Sequence, residues 1–266
     1  PDDIHYFDVL IEKMFEKYNI DKTRVYIHGQ SMGDMMATTY LKKRANIFAA
    51  GAPFSGPSGA MHHIDSDGNV IYPEFPLPVV RTHGSEDLSM PCGMAQRPNW
   101  ELIRNSPPAK VTIPKKFIAP PDSLRQEKME SQQLINIKLW LDRNGCAKLP
   151  NVSLRGKYGV FQHPGDPFDF TFFVVEGGGH NPRHEMYDYL WQYFFTGFRR
   201  IDGKVVRTEP QKTFVPDSGA VILADGSDKA YVDNKLTDIG APAKEVDGVI
   251  YVPLSFIETA YPGVKT

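Results

Sequence analysis

The sequence predicts an α/β protein, a doubly wound and mostly parallel sheet flanked by helices, followed by a small α+β module. Three observations carry that prediction. Short β-branched or aromatic runs at residues 25–27, 77–80 and 172–175 each lead into a glycine-bearing turn, as buried strands do. Helical stretches stand between them, so strands and helices alternate along the chain. Side chains able to do chemistry, Ser31, Asp87 and His180, fall just after three of those strands.

Pro1 and Asp2 open into an amphipathic helix with Ile4, Phe7, Leu10 or Ile11, Met14 and Tyr18 on one face. After the strand at 25–27 comes Gly29-Gln30-Ser31-Met32-Gly33, spaced as G-x-S-x-G. The two glycines let the backbone turn sharply and lift the serine hydroxyl above the strand's carboxyl end. A helix over 31–44, a strand over 48–52 and a loop or hairpin insertion over 54–76 follow. Within that insertion His62 and His63 stand beside Asp65-Ser66-Asp67-Gly68-Asn69. The run resembles the start of a calcium loop but lacks the distal glutamate, and is read as a hairpin turn.

Residues 92–121 are rich in proline and are expected to cross the top of the sheet, where substrate loops sit. A long helix over 123–143 ends at Gly145, and 158–162 and 168–175 pair as a hairpin. Pro182 opens a helix bearing Met186, Tyr189, Leu190, Tyr193 and Phe194, with Gly197 as its C-cap. Residues 199–216 read as a charged linker. Strands over 220–223, 230–232 and 249–252 are separated by Asp-Gly, Asp-Asn and Asp-Gly turns, and a helix begins at Pro253. The domains are therefore 1–200 and 201–266.

A serine hydroxyl is a weak nucleophile unless a base takes its proton and a further group orients that base. His83-Gly84-Ser85-Glu86-Asp87, at the end of the strand at 77–80, supplies the acid; Asp87 is preferred over Glu86 for its place before the x-x-Pro turn. Gly177-Gly178-Gly179-His180 delivers the base from the strand end at 175. The helix after Ser31 offers the Met32 N–H and the positive end of its dipole to an oxyanion. The order Ser, Asp, His is that of α/β-hydrolases. His28 and His83 are read as packed or supporting groups. Gln30, Phe54, Ser55, Met90 and Asn181 adjoin the catalytic turns and are assigned to substrate binding on that adjacency.

Residues 1 to about 200 resemble the α/β-hydrolase esterases related to polyhydroxybutyrate depolymerases and to feruloyl and acetylxylan esterases. The resemblance rests on residues 21–26 leading to the serine turn, on 47–56, on the His-Gly-x-x-Asp loop, on Trp140 to Cys146 and on the Gly-Gly-Gly-His run. It implies Ser31 as nucleophile, Asp87 as acid and His180 as base. Family members often follow that histidine with Trp and Pro, whereas this chain has Asn181-Pro182-Arg183. Residues 249–260 resemble the stalk-like module named for the copper amine oxidase N-terminal domain. That resemblance implies a secreted or cell-surface protein, attached through this module. No histidine follows His184, so the module's name implies no copper.

At 266 residues there is room for one large core and a small second unit. The net charge of −2 and the lack of a basic stripe exclude an electrostatic nucleic-acid footprint. No apolar run is long enough to span a membrane, and no signal peptide is visible. Cys92 and Cys146 are read as separate small buried residues, pairing being the alternative in an exported protein. The serine turn arrives at residue 29, before the strands and oxyanion loop that precede it in an intact hydrolase, so the chain is expected to be an N-terminally truncated piece. The expected reaction is two-step acyl transfer on a small or polymeric ester, without cofactor or metal. A serine peptidase of the prolyl oligopeptidase kind and a non-catalytic surface-binding protein are the alternatives.

Overall fold

A computed structural model of the chain describes residues 3–56, 71–84, 87, 89, 137, 139–147, 150–175, 177–181, 184–219, 221–223, 225–233, 235–247 and 249–261. The expected calcium-like hairpin turn, the proline-rich crossing, the first part of the helix over 123–143, Met90, Cys92 and Glu86 lie outside these residues.

Helix α1 (Asp3–Lys17) leads through a turn to β1 (Tyr26–Gln30), α2 (Met32–Lys43), β2 (Ala50–Phe54) and β3 (Val79–Gly84). After a helical segment over 139–143 come β4 (Asn151–Arg155), β5 (Tyr158–His163) and β6 (Phe170–Val175). These six strands form one sheet in the order β1-β2-β3-β6-β5-β4. β1, β2, β3 and β6 run parallel, while β5 and β4 add an antiparallel meander at the far edge.

Side chains alternate between two apolar layers, as the period of a strand requires. Val79, Phe170 and Phe172 face a cluster with Tyr40 and Leu41 of α2, Phe48 and Trp140. Val80 and Phe173 face the opposite cluster with Phe54, Met186, Leu190 and Phe194. Strands β2 and β3 are buried along their whole length. Helix α1 contributes only Ile4, Phe7 and Ile11 to the first layer, and Asp8 ties it to α2 through Tyr40 Oη (2.6 Å) and Arg44 Nη2 (2.6 Å). Of the expected apolar face, Leu10, Met14 and Tyr18 point to solvent, because the helix lies on the sheet along one narrow stripe.

The structure shifts several boundaries. β2 ends at Phe54 rather than residue 52: Pro53 reads as a stop, yet the ladder continues past it, with Ser31 N–H donating to Phe54 O (2.9 Å) and Ser55 N–H to Thr82 O (3.0 Å). The helix after His180 is not one regular element. α3 (His184–Tyr189) passes into a π-helical turn (Leu190–Phe194) and a 3₁₀ turn (Phe195–Gly197), so Gly197 leads into a strand rather than capping a helix. β4 was not expected, its polar Asn151 and Ser153 hiding the alternation. The helix at 139–143 does end at Gly145, whose φ is +60°.

The expected linker over 199–216 contains a hairpin, β7 (Phe198–Ile201) and β8 (Lys204–Arg207), turned at Asp202-Gly203. Of its arginines, Arg200 is not a solvated charge. Arg200 N–H donates to Thr23 O (2.8 Å), and its guanidinium reaches the carbonyls of Phe48 (Nη2, 2.7 Å), Ala45 and Gly203 (Nη1, 2.7 Å). Beyond it, β9 (Val221–Leu223), β10 (Lys229–Val232) and β11 (Lys235–Asp238) form an antiparallel sheet, β12 (Lys244–Val246) and β13 (Val249–Tyr251) a hairpin, and α4 (Leu254–Ala260) the last helix. Ala230, Ile239, Ala243 and Phe256 make a small core here. Tyr231 reaches the main core instead, donating its hydroxyl to Pro150 O (3.0 Å). No helix among the described residues is long and apolar enough to cross a membrane.

Candidate active site

The parallel strands end at one rim, and each candidate side chain follows one of those ends. β1 stops at Gln30 and α2 starts at Met32, so Ser31 alone makes the turn, at φ 58° and ψ −117°. That conformation is costly for a residue with a Cβ, and the surroundings impose it. Ser31 N–H donates to Phe54 O (2.9 Å), while Ser31 O accepts from Asp34 N–H (3.0 Å) and Met35 N–H (3.3 Å). Close approach requires the first glycine of the pentapeptide: a Cβ on Gly29 would lie 2.1 Å from Gly33 O. Met32 is the first residue of α2, so its N–H has no intrahelical acceptor and is available to an anion.

Asp87, buried past the end of β3, accepts from His180 Nδ1 at 2.9 Å through Oδ2. Its other oxygen, Oδ1, accepts the Ser89 N–H at 3.0 Å. The bond to Asp87 takes the Nδ1–H of His180 and leaves Nε2 as the ring's acceptor. His180 is about a quarter exposed. Between Ser31 Oγ and His180 there is no hydrogen bond among the described residues.

Gln30 closes the distance between the two turns. Its Nε2 donates to His180 O (2.8 Å) and Asn181 Oδ1 (3.0 Å), which fastens the histidine loop to the residue preceding Ser31. Gln30 and Asn181, expected to contact substrate, thus hold one another. Phe54 is a correction: its ring is fully buried against His28 and Tyr187, because strand alternation turns it into the core. Ser55 is also buried, at φ 48°.

His83 was read as a packed or supporting group, whereas the buried ion pair beneath the serine turn was not anticipated. His83 Nε2 lies 3.3 Å from the same Asp87 oxygen that His180 uses, so two imidazoles flank one carboxylate. Beneath the serine turn, Asp34 forms an ion pair with Arg81 (2.7 Å), both fully buried. Asp34 also accepts from Gly56 N–H (2.9 Å) and Thr38 Oγ1 (3.2 Å), and Arg81 Nη2 donates to Gly56 O (2.9 Å). A polar residue three places after the serine and a cation inside a buried strand were the available signals. No cluster of three or more His, Cys, Asp or Glu side chains suited to a metal occurs among the described residues. Cys146 donates its thiol to Phe168 O, and burial pushes its pKa up to about 11.

The fold is α/β with a mostly parallel sheet, and Ser31, Asp87 and His180 follow strands β1, β3 and β6 of it. No known family profile matches the chain. It is 36% identical over 87 residues to a bifunctional acetylxylan esterase/xylanase, XynS20E, of Neocallimastix patriciarum, a match covering 32% of this chain and 12% of that protein. Among solved structures it is similar to an acetyl xylan esterase from Aspergillus awamori, with TM-score 0.42 and 18% identity, covering 72% of this chain and 66% of that one. The siderophore hydrolase EstB from Aspergillus nidulans is more distant, with TM-score 0.28 and 14% identity over 66% of this chain and 49% of that one.

Proposed function

We propose that the chain is a serine esterase that hydrolyses carboxylic esters, with Ser31 as nucleophile, His180 as base and Asp87 as the acid that orients it. The observation carrying this reading is the His180–Asp87 bond of 2.9 Å, at the rim where a strained turn presents Ser31. His180 Nε2 takes the proton from Ser31 Oγ as the hydroxyl attacks the ester carbonyl, and Asp87 stabilises the imidazolium. The Met32 N–H meets the developing oxyanion, and His180 then protonates the departing alcohol. Water, deprotonated by the same imidazole, releases the acid and restores Ser31.

The esterase named in the relative of Neocallimastix patriciarum supports an acetylated xylan-type polysaccharide as the substrate class; the extracellular location we propose rests on the resemblance of residues 249–260 to the stalk-like module. Fluorophosphonate labelling of Ser31, with turnover of p-nitrophenyl acetate, methyl ferulate and a peptide nitroanilide, tests the assignment. Ester turnover abolished by Ser31→Ala is expected. Cleavage of the anilide alone would make the protein a peptidase, and an unreactive Ser31 would make it a binding protein.

A further inference from the structure

A concavity opens at the same rim. It encloses about 560 Å³, within the range of roughly 300–1,000 Å³ typical of small-molecule sites. The β4–β5 turn, α3 with its π-helical turn, and residues 212–214 form its walls. Register fixes its position relative to the candidate active site. Val175 of β6 pairs with Gly84 of β3 on one side and with Tyr158 of β5 on the other. Tyr158 therefore stands at the strand end from which the Asp87 and His180 loops emerge, displaced along the sheet by a strand spacing of about 4.8 Å for each step.

The lining is specific in composition. Tyr189 and Tyr193 lie parallel, centroids 5.4 Å apart, and Phe214 meets Tyr189 edge-on at 5.5 Å. The Arg155 guanidinium rests against Phe214 (5.3 Å) and Tyr193 (5.7 Å). Lys157 and Lys212 add two more cations, so three cations face the carboxylate of Asp188 in the lining and that of Asp217 beside it, which accepts the Gly156 N–H (2.7 Å). Backbone fastens one wall to another, Lys212 N–H donating to Gln192 O (2.9 Å).

The rings of Tyr189, Tyr193 and Phe214 pack on one another and on Arg155, giving a rigid apolar wall for the C–H surface of a sugar ring, while an excess of cations selects a carboxylate over a neutral hydroxyl. Asp188 and Gln192 can accept from ring hydroxyls. We propose that this cleft binds a uronic acid unit of the polysaccharide whose ester is presented to Ser31. The inference rests on the polysaccharide-esterase reading above. A preformed subsite at the catalytic rim would hold a decorated chain so that only esters at a fixed distance from the acidic unit reach the nucleophile.

Calorimetric titration of the whole chain tests it with three probes: a xylo-oligosaccharide bearing one glucuronic acid, the neutral oligosaccharide of equal length, and ferulate. The acidic saccharide is expected to bind at least about ten-fold tighter than the neutral one, and more weakly as salt rises. The double variant Lys157→Glu/Lys212→Glu, at two exposed positions, is expected to lose that preference while its melting temperature stays within a few degrees. Equal binding of the neutral saccharide, preference for ferulate, no binding of any probe, or undiminished binding by the double variant would each overturn the subsite. Because binding needs no turnover, Ser31→Ala serves as a second titrand. Binding without ester hydrolysis would overturn the esterase reading alone, and hydrolysis without binding the subsite alone.

Discussion

Asp87 holds two imidazoles on one oxygen, His180 at 2.9 Å and His83 at 3.3 Å, and buries the charge that makes both arrangements favourable. If Asp87 orients the base, Asp87→Asn presents an amide N–H where an acceptor is needed and favours the wrong imidazole tautomer. A fall in kcat of about 10⁴ with little change in KM is expected on p-nitrophenyl acetate; a fall under ten-fold would remove Asp87 from that role. Asp34 and Arg81 are a different kind of pair, far from solvent and tied to Gly56. Leaving one of two buried charges unpaired costs roughly 3–5 kcal/mol, so Asp34→Asn should show that loss in urea unfolding. Asp34→Leu combined with Arg81→Met should recover only part of it, because desolvation of both charges is avoided while Gly56 N–H and O lose their partners.

At the level of elements, the loop carrying His180 is seated by the end of β3. A Cβ on Gly84 would fall 2.2 Å from Gly178 O and 2.3 Å from Gly179 O. Gly84→Ala therefore displaces the loop, and a shift near 1 Å costs on the order of 10² in rate. Steady-state kinetics and the rate of fluorophosphonate labelling should fall together; unchanged kinetics would show the contact to be slack. The hairpin β7–β8 holds its place through Arg200, which satisfies carbonyls at the end of α2 and at Phe48. Arg200→Met leaves those carbonyls without a donor and should cost roughly 2–4 kcal/mol by urea unfolding. The strands flanking Ser31, Asp87 and His180 were legible because apolar runs and glycine turns are local signals. The hairpin was not, since a charged stretch whose arginine turns inward has the same sequence as one that faces water.

Over the whole molecule, buried His163 is held neutral, its Nδ1–H donating to Ala147 O (2.9 Å) and burial lowering its pKa to about 4. Unfolding returns it to the ordinary value of about 6.5. Protons then bind the unfolded chain and not the folded one between these limits. The contribution is complete above about pH 6.5 and is lost progressively as pH falls toward 4, on the order of 3 kcal/mol in all. His163→Gln keeps a donor for Ala147 O without the ionisation, so its stability should vary less across that window. Urea midpoints measured from pH 7 to 4 check the difference; parallel curves for the two proteins would refute it.

By itself the sequence determined the alternation of strands and helices, the serine turn between two glycines, and the strand ends that bear Asp87 and His180. Each is written in neighbouring residues, through periodicity or backbone permissiveness. Only the tertiary structure decided which side chains meet. It joined Gln30 to the histidine loop, set His83 beside Asp87, paired Asp34 with Arg81, turned Phe54 into the core and tied 198–207 to Thr23, Ala45 and Phe48. Those contacts cross from 4 to more than 150 residues of chain, and strand register and burial select them. No local pattern of residues encodes either.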